Sequence, residues 1–271
     1  VAVSGNVASG IVFDLFNGSA DVTNVALTDC SASNNGVGGD GRGIYVAPGK
    51  PVTNLSLTDT DCCANSRDGL HVQGTLTGLT IDGGKFNDNT GTTSYYGSGI
   101  TLERTTNGAV SGVEAKRNGS VYPSHGIYVK TISSNVAISN CDLGNERYGV
   151  LFISCTDCST EGNNIADCDY GIADFYGVRC EHADNSITGT GLMGMQLRLA
   201  GDGVPGQWGA GDLDVGSSVF GSNLTEFIRL VTNGTVDVDA TSATFQGAAG
   251  DAAREAKVWH DVDEAGVGHV D

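Results

Sequence analysis

Apolar residues in this chain do not recur at helical spacing. They come in short alternating runs, most opened by a glycine and closed by turns rich in Gly, Asn and Asp. The phrase appears as Gly10-Ile-Val-Phe, Gly43-Ile-Tyr-Val, Gly69-Leu-His-Val, Gly99-Ile-Thr-Leu, Gly126-Ile-Tyr-Val, Gly149-Val-Leu-Phe, Gly171-Ile-Ala-Asp and Gly194-Met-Gln-Leu. Successive anchors are 33, 26, 30 and 27 residues apart before settling at 22 to 23. A second alternation follows the earlier anchors, as in Val22, Val25 and Leu27, then Val52, Leu55 and Leu57, then Leu76, Leu79 and Ile81. Each unit therefore predicts two or three short strands. Such a unit cannot bury its own apolar face and must stack on its neighbours, which makes a solenoid. No helical stripe separates the strands, so a doubly wound sheet or a barrel with crossover helices is excluded.

This period and pattern resemble the right-handed parallel β-helix proteins of the pectate-lyase-like superfamily, over roughly residues 5 to 246. The expected fold is all-β: a right-handed parallel β-helix of about eight or nine coils, which at one strand spacing per coil is a rod about 40 Å long. One β-helix domain is expected over residues 1–246. A cap or junction occupies 247–271, with Asp251 to His260 as a short helix N-capped by Asp251 and covering the last coil. Resemblance to tailspikes implies a homotrimer.

Counting from the anchors predicts columns of stacked side chains about 4.8 Å apart. Cys158 and Cys180 each lie nine residues after an anchor, Cys30 and Cys63 each lie twenty after one, and Tyr148 and Tyr170 each precede one. The eight cysteines are accordingly read as buried thiols filling a narrow core. An oxidised stacked pair is the second reading, and a zinc site from Cys155, Cys158, Cys168 and Cys180 the third. No metal and no cofactor are expected.

Net charge changes the list of partners. Thirty-two acidic residues against fourteen basic ones give −18, spread along the chain, which makes nucleic acid a poor partner. Distributed acid with few lysines resembles exported proteins of salt-loving organisms, where high salt screens self-repulsion. No apolar run is long enough to cross a membrane, and the chain starts in mid-pattern at Val1-Ala-Val. An extracellular, cell-surface or virion-surface location is expected. Five glycosylation sequons, at Asn17, Asn54, Asn118, Asn223 and Asn233, are available to glycans in an exported protein.

Chemistry is sought on the face the repeat turns outward. In each phrase the residue between the apolar pair faces out, and so does the one two positions later. The middle coils then display Tyr45, His71, Gln73, Glu103, Tyr128 and Lys130, with Asp68, Arg104 and His125 in nearby turns. Rings beside amide, carboxylate and ammonium groups suit a polysaccharide, since rings stack on apolar sugar faces while polar groups fix hydroxyls. The first reading is recognition of a cell-surface polysaccharide in the manner of a tailspike or adhesin. The second is a polysaccharide lyase, hydrolase or epimerase of the pectate-lyase-like group, with Asp68, His71, Glu103, His125 and Lys130 as catalytic candidates and Tyr45, Gln73, Arg104 and Tyr128 binding substrate. Arg67-Asp-Gly-Leu-His-Val72 and Ser124-His-Gly-Ile127 resemble segments of polygalacturonases, but the second paired aspartate and the Arg-Ile-Lys signature are missing. The third reading is a structural rod or filament subunit.

Loops at 84–98 and 117–125, bearing Tyr95, Tyr96 and Tyr122, and at 200–211, tipped by Trp208, are expected to interrupt the coils. The glycine-rich 36–43 stretch is a lateral excursion, since no helix and no lysine follow it as a phosphate loop requires.

Overall fold

A computed structural model describes residues 1–14, 21–36, 39–91, 97–119, 124–189, 191–198, 213–231, 236–260 and 268–270. Every strand pairing among them is parallel, and each sheet joins strands from successive coils. This is the expected right-handed parallel β-helix. Its long sheet carries ten strands, starting at Ile11–Phe13 and ending at Val258–His260. A seven-stranded sheet runs from Val22–Thr28 to Glu181–Ala183, and a six-stranded sheet from Glu114–Lys116 to Thr244–Phe245.

The predicted anchors fall in register on the long sheet: Ile44 pairs with Leu70, Leu70 with Ile100, Ile100 with Ile127 and Ile127 with Val150. Their glycines are required by close approach. A Cβ on Gly69 would lie 2.7 Å from the Gly99 carbonyl oxygen, and one on Gly99 2.7 Å from that of Gly126. Inward side chains of the three sheets, among them Ile44, Leu70, Ile100, Phe86 and Phe152, fill one continuous core.

The turns are held by polar stacks inside the coil. At one corner Asn35, Asn65, Asn89 and Asn118 form a ladder in which the backbone N–H and Nδ2 of each donate to the side-chain oxygen of the next. Glu146 ends it, its Oε1 accepting from the Asn118 backbone N–H at 2.6 Å and from Nδ2 at 2.9 Å. Asn118 is thereby buried, which removes it from the glycan acceptors, whereas Asn54 and Asn223 are exposed. Asn17 and Asn233 lie outside the described residues.

Three expectations are corrected. Cys158 does stack over Cys180, beside the Ser159–Glu181 pair, but Cys30 does not stack on Cys63. Ser31 bridges Asp61, so Cys30 sits opposite Thr60, while the Cys63 N–H donates to Ser33 Oγ at 3.0 Å. The turn between first and second strands is longer after Gly10 than after Gly43, which offsets the count from the anchor. The expected helix from Asp251 to His260 spans only Asp251–Glu255, with Gly250 at the N-cap. Val258–His260 is instead a strand, paired with Glu226–Val231, because the open edge of the long sheet satisfies its backbone. Finally, the outward-facing positions of the long sheet are not all exposed: Tyr128, Tyr148, Leu151 and Ala173 are buried there as a second apolar cluster.

Candidate functional site

All nine site residues named from the sequence come together on coils two to five of the long sheet's outer face. His71, at the centre of Leu70–Val72, is 6% exposed and lies between two carboxylates. Its Nδ1 is 2.9 Å from Asp68 Oδ2 and its Nε2 is 3.1 Å from Glu103 Oε1. Burial pulls His71 towards the neutral form, but the two carboxylate hydrogen bonds outweigh it and raise its pKa. Arg42 Nε also lies 3.0 Å from Nδ1. The Arg42 Nε–H points at Nδ1, and its guanidinium stands 3.8 Å from the same Asp68 carboxylate.

Asp68 is 2% exposed, and its Oδ1 accepts from the Ser98 N–H at 3.1 Å and from Thr101 Oγ1 at 3.2 Å. Burial pushes its carboxyl up, and the His71 hydrogen bond and charge, with Arg42 and Arg67, bring it below the usual range. Glu103 is likewise pushed up by burial and brought below its usual value by His71 and by Lys130, whose Nζ is 3.1 Å away. Charges of alternating sign thus cross four coils, in the order Arg42, Asp68, His71, Glu103 and Lys130.

His125 joins through Ser98, its Nδ1 3.1 Å from Ser98 Oγ. Burial pushes its pKa down to about 4, so it is neutral at pH 7. Its ring stacks on Tyr128 at 4.5 Å between centroids and on Tyr148 at 5.6 Å, and Tyr148 stacks on Tyr170 at 4.8 Å, as the register predicts. Lys130 Nζ sits 4.9 Å over the Tyr128 ring. At the other end Tyr45 meets His71 edge-on at 5.7 Å and donates from Oη to Gln73 Oε1, while Arg104 donates to the Gln73 carbonyl at 2.9 Å. Tyr45, Gln73 and Lys130 are half-buried and Arg104 is exposed, so these four form the solvent-facing edge over a buried network.

Two further participants are Arg42, whose guanidinium lies 4.2 Å over the Tyr45 ring, and Ser98. Both precede an anchor glycine. So do Asp68, His125, Tyr148 and Tyr170, and that column was the available signal. Inside the coil, Asp174 and His182 are both fully buried and meet at 3.3 Å, with Thr160 Oγ1 on His182 Nδ1 at 3.2 Å. Asp174 occupies the slot that holds Leu102, Val129 and Phe152 on earlier coils. Tyr95, Tyr96, Tyr122 and Trp208 lie outside the described residues.

The family described as "Periplasmic copper-binding protein (NosD)" matches residues 4–198, the span that holds the site and its flanking coils. No curated protein and no solved structure matches the chain.

Proposed function

We propose that this chain, which belongs to the NosD family, is an exported β-helix that recognises a polysaccharide through the outer face of its long sheet. The observation that carries the reading is the edge of Tyr45, Gln73, Arg104 and Lys130 held over a pre-paired network. Each of these side chains is fixed by a bond or ring contact, so little rotamer freedom is lost on binding. A ring, an amide and two cations then present stacking and hydrogen-bonding groups side by side. The periplasmic location in the family's description supports export, and among the described residues no helix is long and apolar enough to cross a membrane.

Copper, the other part of that description, does not fit the described residues. No three His, Cys, Asp or Glu side chains among them converge on a point that could hold a metal. Both nitrogens of His71 and of His182 already face oxygen partners. Thiolate is the form that binds soft metals, and burial pushes the Cys141 thiol up to about 11 and that of Cys168 to about 12. Cys155 and Cys158 give their Sγ–H groups to backbone carbonyls.

The same geometry favours recognition over catalysis. A lyase or hydrolase needs an acid or base that reaches the sugar, whereas Asp68, His71 and His125 are buried and Glu103 is engaged by both His71 and Lys130. A glycan-array screen with the intact chain in high salt, followed by mass analysis of each hit after incubation, tests the reading. Binding with unchanged glycan mass is expected. A shortened, unsaturated or epimerised product would replace recognition by catalysis, and no binding at all would leave a structural rod.

A further inference from the structure

The seven-stranded sheet carries a second asparagine ladder, on its outer face. Asn24, Asn54, Asn107 and Asn135 each adopt a left-handed backbone, with φ of 57, 56, 57 and 52°. The neighbouring pairs Thr53 with Thr77, Leu55 with Leu79, Thr106 with Thr77 and Gly108 with Leu79 place Gly78 in this column, between Asn54 and Asn107. Gly78 keeps the same backbone form, φ 76°, but has no side chain.

The ladder is therefore intact on both sides and lacks one rung. Asn54 Nδ2 donates to Asn24 Oδ1 at 2.8 Å, and Asn135 Nδ2 donates to Asn107 Oδ1 at 2.8 Å. Each amide thus donates towards the preceding coil. At the gap this leaves Asn54 Oδ1 as an acceptor and Asn107 Nδ2 as a donor, neither with a partner among the described residues. A missing amide would have satisfied both. The gap opens into a groove of about 440 Å³, lined in part by Asn54, Ser56, Gly78, Thr80, Asn107 and Ala109, with no charged residue among the described residues of its walls. That volume is in the range of small-ligand sites.

We propose that this notch binds the acetamido group of an uncharged N-acetylated sugar chain, whose N–H donates to Asn54 Oδ1 and whose carbonyl accepts from Asn107 Nδ2. The ligand amide becomes the missing rung, and the hydroxyls of Ser56 and Thr80 face the sugar's own hydroxyls. A sugar is favoured over a peptide because the outward side chains are small and polar. Leu55 and Leu79 point into the core, and the strands on either side of the notch are already paired. This site is on a different sheet from the Tyr45–Lys130 edge and stands or falls separately from it.

The test is titration calorimetry of the full chain with oligomers of N-acetylglucosamine and of N-acetylgalactosamine, against glucose and galactose oligomers of equal length. An acetylated series is expected to bind and its plain counterpart to bind about tenfold or more weakly, as the loss of two hydrogen bonds implies. G78N supplies the missing amide from the protein. Asn tolerates positive φ, and the atom its Cβ meets, at 2.5 Å, is the movable end of the Asn54 side chain. The variant is expected to fold, with unchanged circular dichroism and no loss in Tm, and to lose the acetylated ligand. N107A is expected to weaken that ligand about tenfold. Equal binding of plain and acetylated oligomers, no binding of either acetylated series, full binding by folded G78N, or displacement of the sugar by an Asn/Gln-rich peptide would each overturn the proposal. Ligands of the long-sheet edge would bind G78N normally in every case.

Discussion

Replacing Glu146 by glutamine is expected to remove a pH dependence built into the corner ladder. Glu146 is 5% exposed and occupies the place of an asparagine, with Oε1 accepting both donors of Asn118. Burial pushes its pKa from 4.5 up to about 8, against the opposing pull of the Asn118 hydrogen bonds. The carboxyl is thus neutral in the fold where it would be ionised in the unfolded chain. A folded pKa above the unfolded one means full stability below pH 4.5, a decline across the interval, and a plateau above about 8. At about 1.4 kcal/mol per pH unit the loss over that interval is about 5 kcal/mol, to order of magnitude. The assay is urea unfolding followed by far-UV circular dichroism from pH 4.5 to 9 at fixed salt, for wild type and E146Q. The advantage of E146Q should grow by about 1.4 kcal/mol per unit and level off near pH 8. Parallel pH profiles for the two proteins would refute the assignment of a neutral Glu146.

Two further outcomes follow from the buried charges. H182A leaves the fully buried Asp174 side chain without its His182 partner and should cost about 3–5 kcal/mol, while the double change D174L/H182L should recover much of that loss; the checks are unfolding midpoints in denaturant. H71A leaves Asp68 facing Glu103 without the cation between them and should cost a similar amount, about 3–5 kcal/mol at pH 7. The His71 contribution is present below its ordinary pKa of 6.5 and is lost as pH rises through its raised folded value. Those of Asp68 and Glu103 are lost as pH falls below their ordinary values of 3.8 and 4.5. The wild-type stability attributable to this trio should therefore peak between those limits, and H71A should flatten that peak.

The long sheet was legible from sequence because its anchor glycines are fixed by contact with the next coil, so they recur whatever the turns do. The same regularity brought Asp68, His71, Glu103, His125 and Lys130 onto one patch in advance. Turns were harder to read. Cys30 and Cys63 share an offset from their anchors but not a column, because the turn length between strands changes from coil to coil. The ladder from Asn35 to Glu146 also hides in such turns, at irregular intervals in a chain rich in surface asparagine. Asp174 was visible as the one carboxylate in an apolar slot of the repeat phrase, but its partner His182 comes from a different sheet and carries no sequence mark. The C-terminal Val258–His260 reads as a helix in isolation; the unpaired edge it completes exists only after the preceding coils have formed.

Under the proposed function, a polysaccharide sits on the Tyr45–Lys130 edge of the long sheet. The most direct measurement is a residue-resolved NMR titration of the intact chain with the strongest array hit, reading side-chain and backbone signals. Saturable shifts centred on Tyr45, Gln73, Arg104 and Lys130 are expected, with the inner core unmoved. Saturable shifts that leave those four residues untouched would contradict it.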